Sequence, residues 1–137
     1  MRRLPFFLIG ILLVNSAIAQ SVIEVNSVEA QSYVDNYNAK SEVIIDGRTQ
    51  TMFESGHLKN AVNINAFSKE AEEELTKYLG FKRMVVYCTN RTRSELIIDK
   101  LKLLEYCGEI IFVSDGINGW KSNGFDVITG VGDENES

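Results

Sequence analysis

A cysteine and an arginine five positions later bracket Cys88-Thr-Asn-Arg-Thr-Arg93, which follows an apolar run, Met84-Val-Val-Tyr87, and leads into Ser94-Glu95 and a helical pattern. Small, hydroxylated and basic residues between a buried strand and a helix place the Cys88 thiol at a helix N-terminus. Backbone N–H groups of such a turn point inward and the helix dipole adds partial positive charge. The arrangement therefore predicts a Cys88 pKa below its free value of about 8.5. The chemistry that follows is that of a nucleophilic thiolate. Most buried cysteines are inert packing residues, but a polar, doubly basic loop argues against that fate here.

The other chemistry-bearing residues are few. Cys107 follows a predicted helix of roughly 12 residues that Cys88 precedes, so the two thiols lie about 18 Å apart along its axis, beyond the roughly 7 Å that a disulfide allows between Cα atoms. Both are expected free, with Cys107 a half-buried packing residue beside Gly108. His57 is the only histidine, which excludes a His-based metal cluster. No metal site and no cofactor is implied. Asn90-Arg-Thr92 matches a glycosylation acceptor, but a sugar there would block the loop, and the match is read as chance.

The chain has 137 residues, 45% hydrophobic and 24% charged, the profile of one globular domain. A net charge of −5 and a pI near 4.9, without any basic stripe, argue against nucleic acid as a partner. Residues 1–19 read as a signal peptide: Arg2 and Arg3 form a basic start, Leu4 to Val14 an apolar run, and Ala17-Ile-Ala19 a small-x-small cleavage site. The apolar run is shorter than the ~20 residues that span a bilayer, so no stable membrane insertion is expected after cleavage. Loss of Arg2 and Arg3 takes the formal charge from −5 to −7, two positive charges fewer. A periplasmic or secreted location follows.

Strands and helices must alternate to position the loop. Val22–Val25 reads as a strand, with Ser27 capping a helix from Val28 to Tyr37 on which Val28 and Ala30 share the apolar side. Glu42–Ile45 is a buried strand, ending in Asp46-Gly-Arg48 before a brief helix around Gln50–Glu54 that Gly56 terminates. Ala61–Ile64 is a short strand, and Ser68 caps a helix running to Leu79. Met84–Tyr87 is the central strand, Arg93–Tyr106 a helix closed by Gly108, and Ile110–Val113 the last strand, followed by Asp115-Gly-Ile-Asn-Gly-Trp120. Near-continuous apolar strands between helices predict an α/β fold with a parallel sheet covered on both faces. In such a sheet the site lies at the carboxyl ends of the strands, where Asp46-Gly-Arg48, the Cys88 loop and Ser114-Asp-Gly116 converge. Trp120 and Tyr87 are read as core. The acidic segment 129–137 is read as a disordered tail, leaving 20–128 as the domain.

Val43-Ile-Ile-Asp-Gly-Arg48 followed by Gly56-His-Leu-Lys-Asn-Ala-Val-Asn-Ile64 resembles the first signature of the rhodanese-like domain. Cys88-x4-Arg93-Ser94, Asp115-Gly-Ile-Asn-Gly-Trp120 and Gly124-Phe-Asp-Val127 resemble the rest, and the likeness spans about residues 22–128. It implies a three-layer fold, with a central, mostly parallel five-stranded sheet and helices on both faces. It also implies a single-domain sulfurtransferase in which Cys88 takes sulfane sulfur from a donor such as thiosulfate and passes the persulfide sulfur to a thiol or cyanide-like acceptor. A protein acceptor is a further expected partner. The other readings of the same fold are a persulfide carrier and a non-catalytic interaction module.

In that chemistry the amides from Thr89 through Asn90, Arg91, Thr92 and Arg93 to Ser94 cradle the thiolate and persulfide. Arg93 matches the family's loop-closing arginine and is expected to bind the loop's carbonyls and acids; Arg91, mid-loop, is placed to meet an anionic donor. The related phosphatases close their loop one position later, where this chain has Ser94, and carry a histidine where it has Tyr87. Asp46 and Arg48 are read as a pair that fixes its turn, and the family places His57 in a structural turn. The chain departs from the pattern at Lys59-Asn60, Gly47 and Asp115. A carboxylate at Asp115, near the expected mouth, is expected to disfavour anionic thiosulfate.

Overall fold

Five short runs of aliphatic and β-branched residues pair side by side in the computed structural model, which describes residues 20–131 together with Arg2, Arg3 and Pro5. The expected leader, apart from those three residues, and the acidic tail from 132 onward lie outside the described residues. The order of elements is β1 (Ser21–Val25), α1 (Ser27–Asp35), β2 (Glu42–Asp46), α2 (Gln50–Ser55), β3 (Ala61–Asn63), α3 (Ala71–Thr76), β4 (Arg83–Tyr87), α4 (Thr92–Leu103), β5 (Glu109–Val113) and α5 (Gly116–Ser122). All strand pairs are parallel, in the order β1-β5-β4-β2-β3. β4 is thus central, its Val85 opposite Ile44 on one side and Ile111 on the other.

Alternation along the strands divides the core into two layers. Val43, Ile45, Met84, Val86, Ile110 and Phe112 face Leu75 of α3 and Ile97, Ile98 and Leu101 of α4. Ile44, Val85, Tyr87, Ile111 and Val113 face Ala30 and Val34 of α1, Phe53 of α2 and Ile117 and Trp120 of α5. Both sheet faces are covered, as near-continuous apolar strands require. Among the described residues no helix is long and apolar enough to cross a membrane.

Three helix boundaries differ from the sequence expectation. Asn26, not Ser27, caps α1: its side chain accepts from Glu29 N–H and Glu29 reaches back to Asn26 N–H, a complete capping box. The shift buries Ser27 with Ala30 and Val34 and leaves Val28 exposed. α3 is six residues long, because Ser68 organises a turn with Glu70 ahead of it and the chain beyond Thr76 tightens into i→i+3 bonds. α4 stops at Leu103, where Glu105 turns left-handed at φ 58° and swings Tyr106 back into the core. Gly108 does not close the helix but lets Tyr106 pack, since a Cβ there would lie 2.1 Å from the phenol oxygen. The expected end of the domain at 128 pairs with His57, and attachment continues to Gly130, whose N–H donates to Glu54 O.

Tyr106 is 3% exposed and donates its hydroxyl to Phe81 O at 2.9 Å. Burial pushes its phenol up to about 12 from the ordinary 10.0. A group whose folded pKa is raised contributes stability that is intact below the unfolded value and lost as pH rises through the folded one. The urea midpoint should therefore hold up to pH 10 and fall between pH 10 and 12. Tyr106→Phe should shrink that fall without abolishing it, because burial also raises Tyr87.

Candidate active site

The β4–α4 turn emerges where the sheet's central strand ends, and the polar residues after Tyr87 cannot continue into the core. Cys88 is nevertheless 1% exposed. Its Sγ accepts the N–H of Ser94 at 3.3 Å, inside the first turn of α4. Of the amides from Thr89 to Ser94, this is the one that reaches the sulfur. The first turn of a helix is where unpaired N–H groups and the positive end of the dipole lie. In the same turn, Thr89 Oγ1, Arg93 Nε and Ser94 Oγ are buried with no hydrogen-bond partner. Three unpaired polar atoms in one six-residue turn are unusual, because leaving such atoms unpaired costs about 1–3 kcal/mol each. They offer bonds to an anionic or persulfidic group that would sit in the turn.

The turn is held from both sides by backbone. Ile117 N–H donates to Cys88 O at 2.8 Å and Asn118 N–H to Thr89 O at 3.3 Å, fastening the loop to the start of α5. Asn118 Nδ2 adds a bond to Asn90 Oδ1. Gly116 makes this approach possible: its φ is +57°, and a Cβ would lie 2.4 Å from both carbonyl oxygens. On the other side Gly47 N–H donates to Tyr87 O at 2.9 Å, and a Cβ on Gly47 would stand 3.5 Å from that of Arg93. The three expected segments do meet at the carboxyl end of the sheet, but they meet through Gly47 and Gly116.

Their charged side chains point elsewhere. Asp46 and Arg48 form a buried fork, with Nε at 3.0 and 3.2 Å and Nη2 at 2.7 Å from the carboxylate oxygens, and Arg48 also donates to Gly56 O. This pair clamps the 46–56 segment. Beside it the Tyr87 hydroxyl accepts Leu58 N–H, and burial followed by the Asp46 charge drives its phenol well above the ordinary range. Asp115 accepts from Ser27 N–H and Oγ at 3.1 and 2.7 Å, so its carboxylate is bound to the first residue of α1. The Asp115 carboxylate, expected at the mouth, is thus engaged by the start of α1.

Both loop arginines also depart from expectation. Arg91 pairs with Glu24 of β1 and with Glu95 at 2.9 Å, and lies 4.9 Å above the Phe112 ring. Those two carboxylates hold its guanidinium tightly protonated, and Arg91 in turn keeps Glu24 below the usual carboxylate range. Arg93 bonds no loop carbonyl or acid; its guanidinium sits 5.2 Å over the ring of Phe67. Phe67 and Glu24 were not legible as site residues, although a large apolar residue in the polar stretch Asn65-Ala-Phe-Ser68 just past β3 is a usable signal.

Cys107 is exposed, not half-buried, and both thiols are free. It precedes β5 whereas Cys88 follows the parallel β4, so the two lie at opposite ends of the sheet. His57 is buried, stacks on Phe53 at 3.8 Å and contacts Phe53 O through Nδ1, a structural turn. Trp120 is buried with Nε1 donating to Asp126 O.

Residues 29–123 match the family model of the rhodanese-like domain. A rhodanese-related protein from Thermoplasma volcanium superposes with a TM-score of 0.63 at 23% identity, covering 80% of this chain and 98% of that one. A thiosulfate sulfurtransferase from Pseudomonas aeruginosa superposes with a TM-score of 0.61 at 22% identity, over 80% of this chain and 20% of that one. In sequence the chain is 28% identical over 89 residues to an uncharacterized protein of Buchnera aphidicola subspecies Baizongia pistaciae, covering 63% of this chain and 60% of that protein. It is 30% identical over 93 residues to another from subspecies Schizaphis graminum, covering 62% and 57%. The chain therefore spans about three fifths of the length of the curated relatives it matches.

Gly116→Ala should destabilise the protein by about 2–4 kcal/mol, since a Cβ there clashes with backbone and strains a left-handed φ. Urea unfolding of the variant reads this directly, and a loss under about 0.5 kcal/mol, the size of an ordinary surface substitution, would contradict it.

Proposed function

From the premise that this chain belongs to the rhodanese-like domain family, we propose that it is a sulfurtransferase whose Cys88 carries sulfane sulfur as a persulfide. The observation that supports this most is the buried Cys88 Sγ, bonded to Ser94 N–H within a turn that also holds three unpartnered polar atoms. In the first half-reaction the Cys88 thiolate attacks the outer sulfur of a donor such as thiosulfate. The Sγ–S bond forms, the donor's S–S bond breaks, and sulfite leaves with the electron pair. In the second, a thiol or cyanide attacks the terminal sulfur and the Cys88 thiolate leaves.

Ser94 N–H stabilises the negative charge on Sγ in both thiolate states, and Thr89 Oγ1 and Ser94 Oγ supply bonds to the outer sulfur once it is in place. Arg93, with Nε unpartnered, attracts the anionic donor. Arg91 is committed to Glu24 and Glu95 and acts in holding the loop against β1. The reading includes export, supported by the leader-like sequence from Arg2 to Ala19. The N-terminal residue of the protein recovered from a periplasmic or culture fraction tests that part.

Incubation with thiosulfate followed by intact-mass analysis should show a gain of one sulfur atom in the wild type and none in Cys88→Ser. Cyanide should then remove the added sulfur and restore the starting mass. No gain with any sulfane donor would instead favour a non-catalytic interaction module of the same fold.

A further inference from the structure

The charges around the Cys88 turn are nearly all spoken for. Glu24, Arg91 and Glu95 form a trio of two carboxylates on one guanidinium, with one net negative charge. Asp46 and Arg48 cancel each other within a buried fork, and Asp115 is turned to the start of α1. What is left is Arg93, which no carboxylate pairs with among the described residues and whose Nε is buried without a partner. Directly on its guanidinium lies Phe67, 61% exposed, one of the few large apolar side chains the fold leaves in solvent.

One unpaired cation matches one negative charge, and an exposed ring beside it matches an apolar group. A dianion would meet that single cation and, close by, the net negative trio. Resting on the sulfur-transfer reading above, we propose that this site selects a monoanionic sulfane donor carrying an apolar organic group, the class of the thiosulfonates, over the thiosulfate dianion. Phe67 and Glu24 set that preference. Phe67 supplies a face for the organic group, by offset or edge contact with an aromatic one. Glu24 acts through Arg91 as a positioning residue, holding its charge on β1 and away from the donor. Discrimination is then a difference of two affinities, raised by the ring for one donor and lowered by the trio for the other.

The step balances without an added oxidant. The Cys88 thiolate attacks the outer sulfur of R–SO2–S⁻, the new Sγ–S bond forms, and the bond between the two donor sulfurs breaks with its electron pair leaving on the sulfinate, RSO2⁻. The two negative charges on thiolate and donor reappear on persulfide and sulfinate.

The test compares kcat/KM for benzenethiosulfonate and for thiosulfate on the full chain, with cyanide as acceptor for both, at low and high ionic strength. The wild type should prefer benzenethiosulfonate by about tenfold or more. Phe67→Ala should cut that preference to about threefold or less, and Phe67→Tyr should keep it, because the tyrosine ring offers the same face. Glu24→Gln should narrow it from the other side by raising kcat/KM for thiosulfate by about threefold, a gain that shrinks at high salt. Phe67 and Glu24 are exposed, so neither change empties the core, and thermal melting checks each variant. A wild-type preference of one or less overturns the proposal, as does a preference that neither substitution moves. Mass analysis separates this from failure of the underlying reading: sulfur gained on Cys88 from both donors alike removes the selectivity alone, whereas sulfur gained from neither removes the sulfur-transfer reading as well.

Discussion

The site depends on a backbone clasp. Cys88 and Thr89 turn their carbonyls toward the first amides of α5, and Ile117 and Asn118 close the bonds at 2.8 and 3.3 Å. That contact requires a left-handed residue with no side chain between the two segments, which Gly116 provides. Because the loop's carbonyls are drawn outward to α5, its Ser94 amide is left facing inward to the sulfur. The same geometry that satisfies the acceptors of the turn frees its donors. A side chain added to that glycine would press on the Cys88 and Thr89 carbonyls and so disturb the turn around the sulfur through the backbone.

Beneath the clasp, charges are paired at opposite ends of the sheet, one pair fully buried and the other group partly exposed. At the carboxyl end the Asp46–Arg48 fork holds the path from β2 toward α2. At the amino end Arg83 reaches both Glu42 and Glu109, tying β4 to the strands on either side, with Tyr33 against its guanidinium. Breaking the Asp46–Arg48 fork by removing one partner leaves a buried charge uncompensated, which costs far more than the pair itself contributes. Arg83 stands opposite Glu42 on one side and Glu109 on the other, so its contacts favour this register, which a one-residue slip would lose together with the apolar faces.

The fold was legible because its signals are local. Val43-Ile-Ile45, Met84-Val-Val-Tyr87 and Ile110-Ile-Phe-Val113 are buried on both faces and read as strands without knowledge of their neighbours. The position of Cys88 between β4 and α4 followed from the same patterns. What the sequence did not disclose was where long side chains go, since their partners are remote: Asp115 finds Ser27 across 88 residues, and Arg91 finds Glu24 across 67. The apolar periodicity of α3 predicted a longer helix because Leu79 keeps the same face, yet the i→i+3 tightening after Thr76 keeps that side chain packed without helical continuation. Asn26 and Ser27 are both good caps, and the signal that separates them is Glu29, three residues after Asn26, which completes its capping box.

The edge position of β1 also matters for handling the protein. This strand pairs on one side only and begins at Ser21, three residues ahead of the carboxylate that grips Arg91. Ser21 lies opposite Glu109 at the amino end of the parallel sheet, so a purification handle joined just upstream starts at the end where Cys107 sits, away from the Cys88 loop. At the other end, Gly130 is fastened to Glu54 in the last turn of α2. The choice of fusion terminus is thus a biochemical variable, and an appendage ahead of β1 starts at the end of the sheet opposite the Cys88 rim.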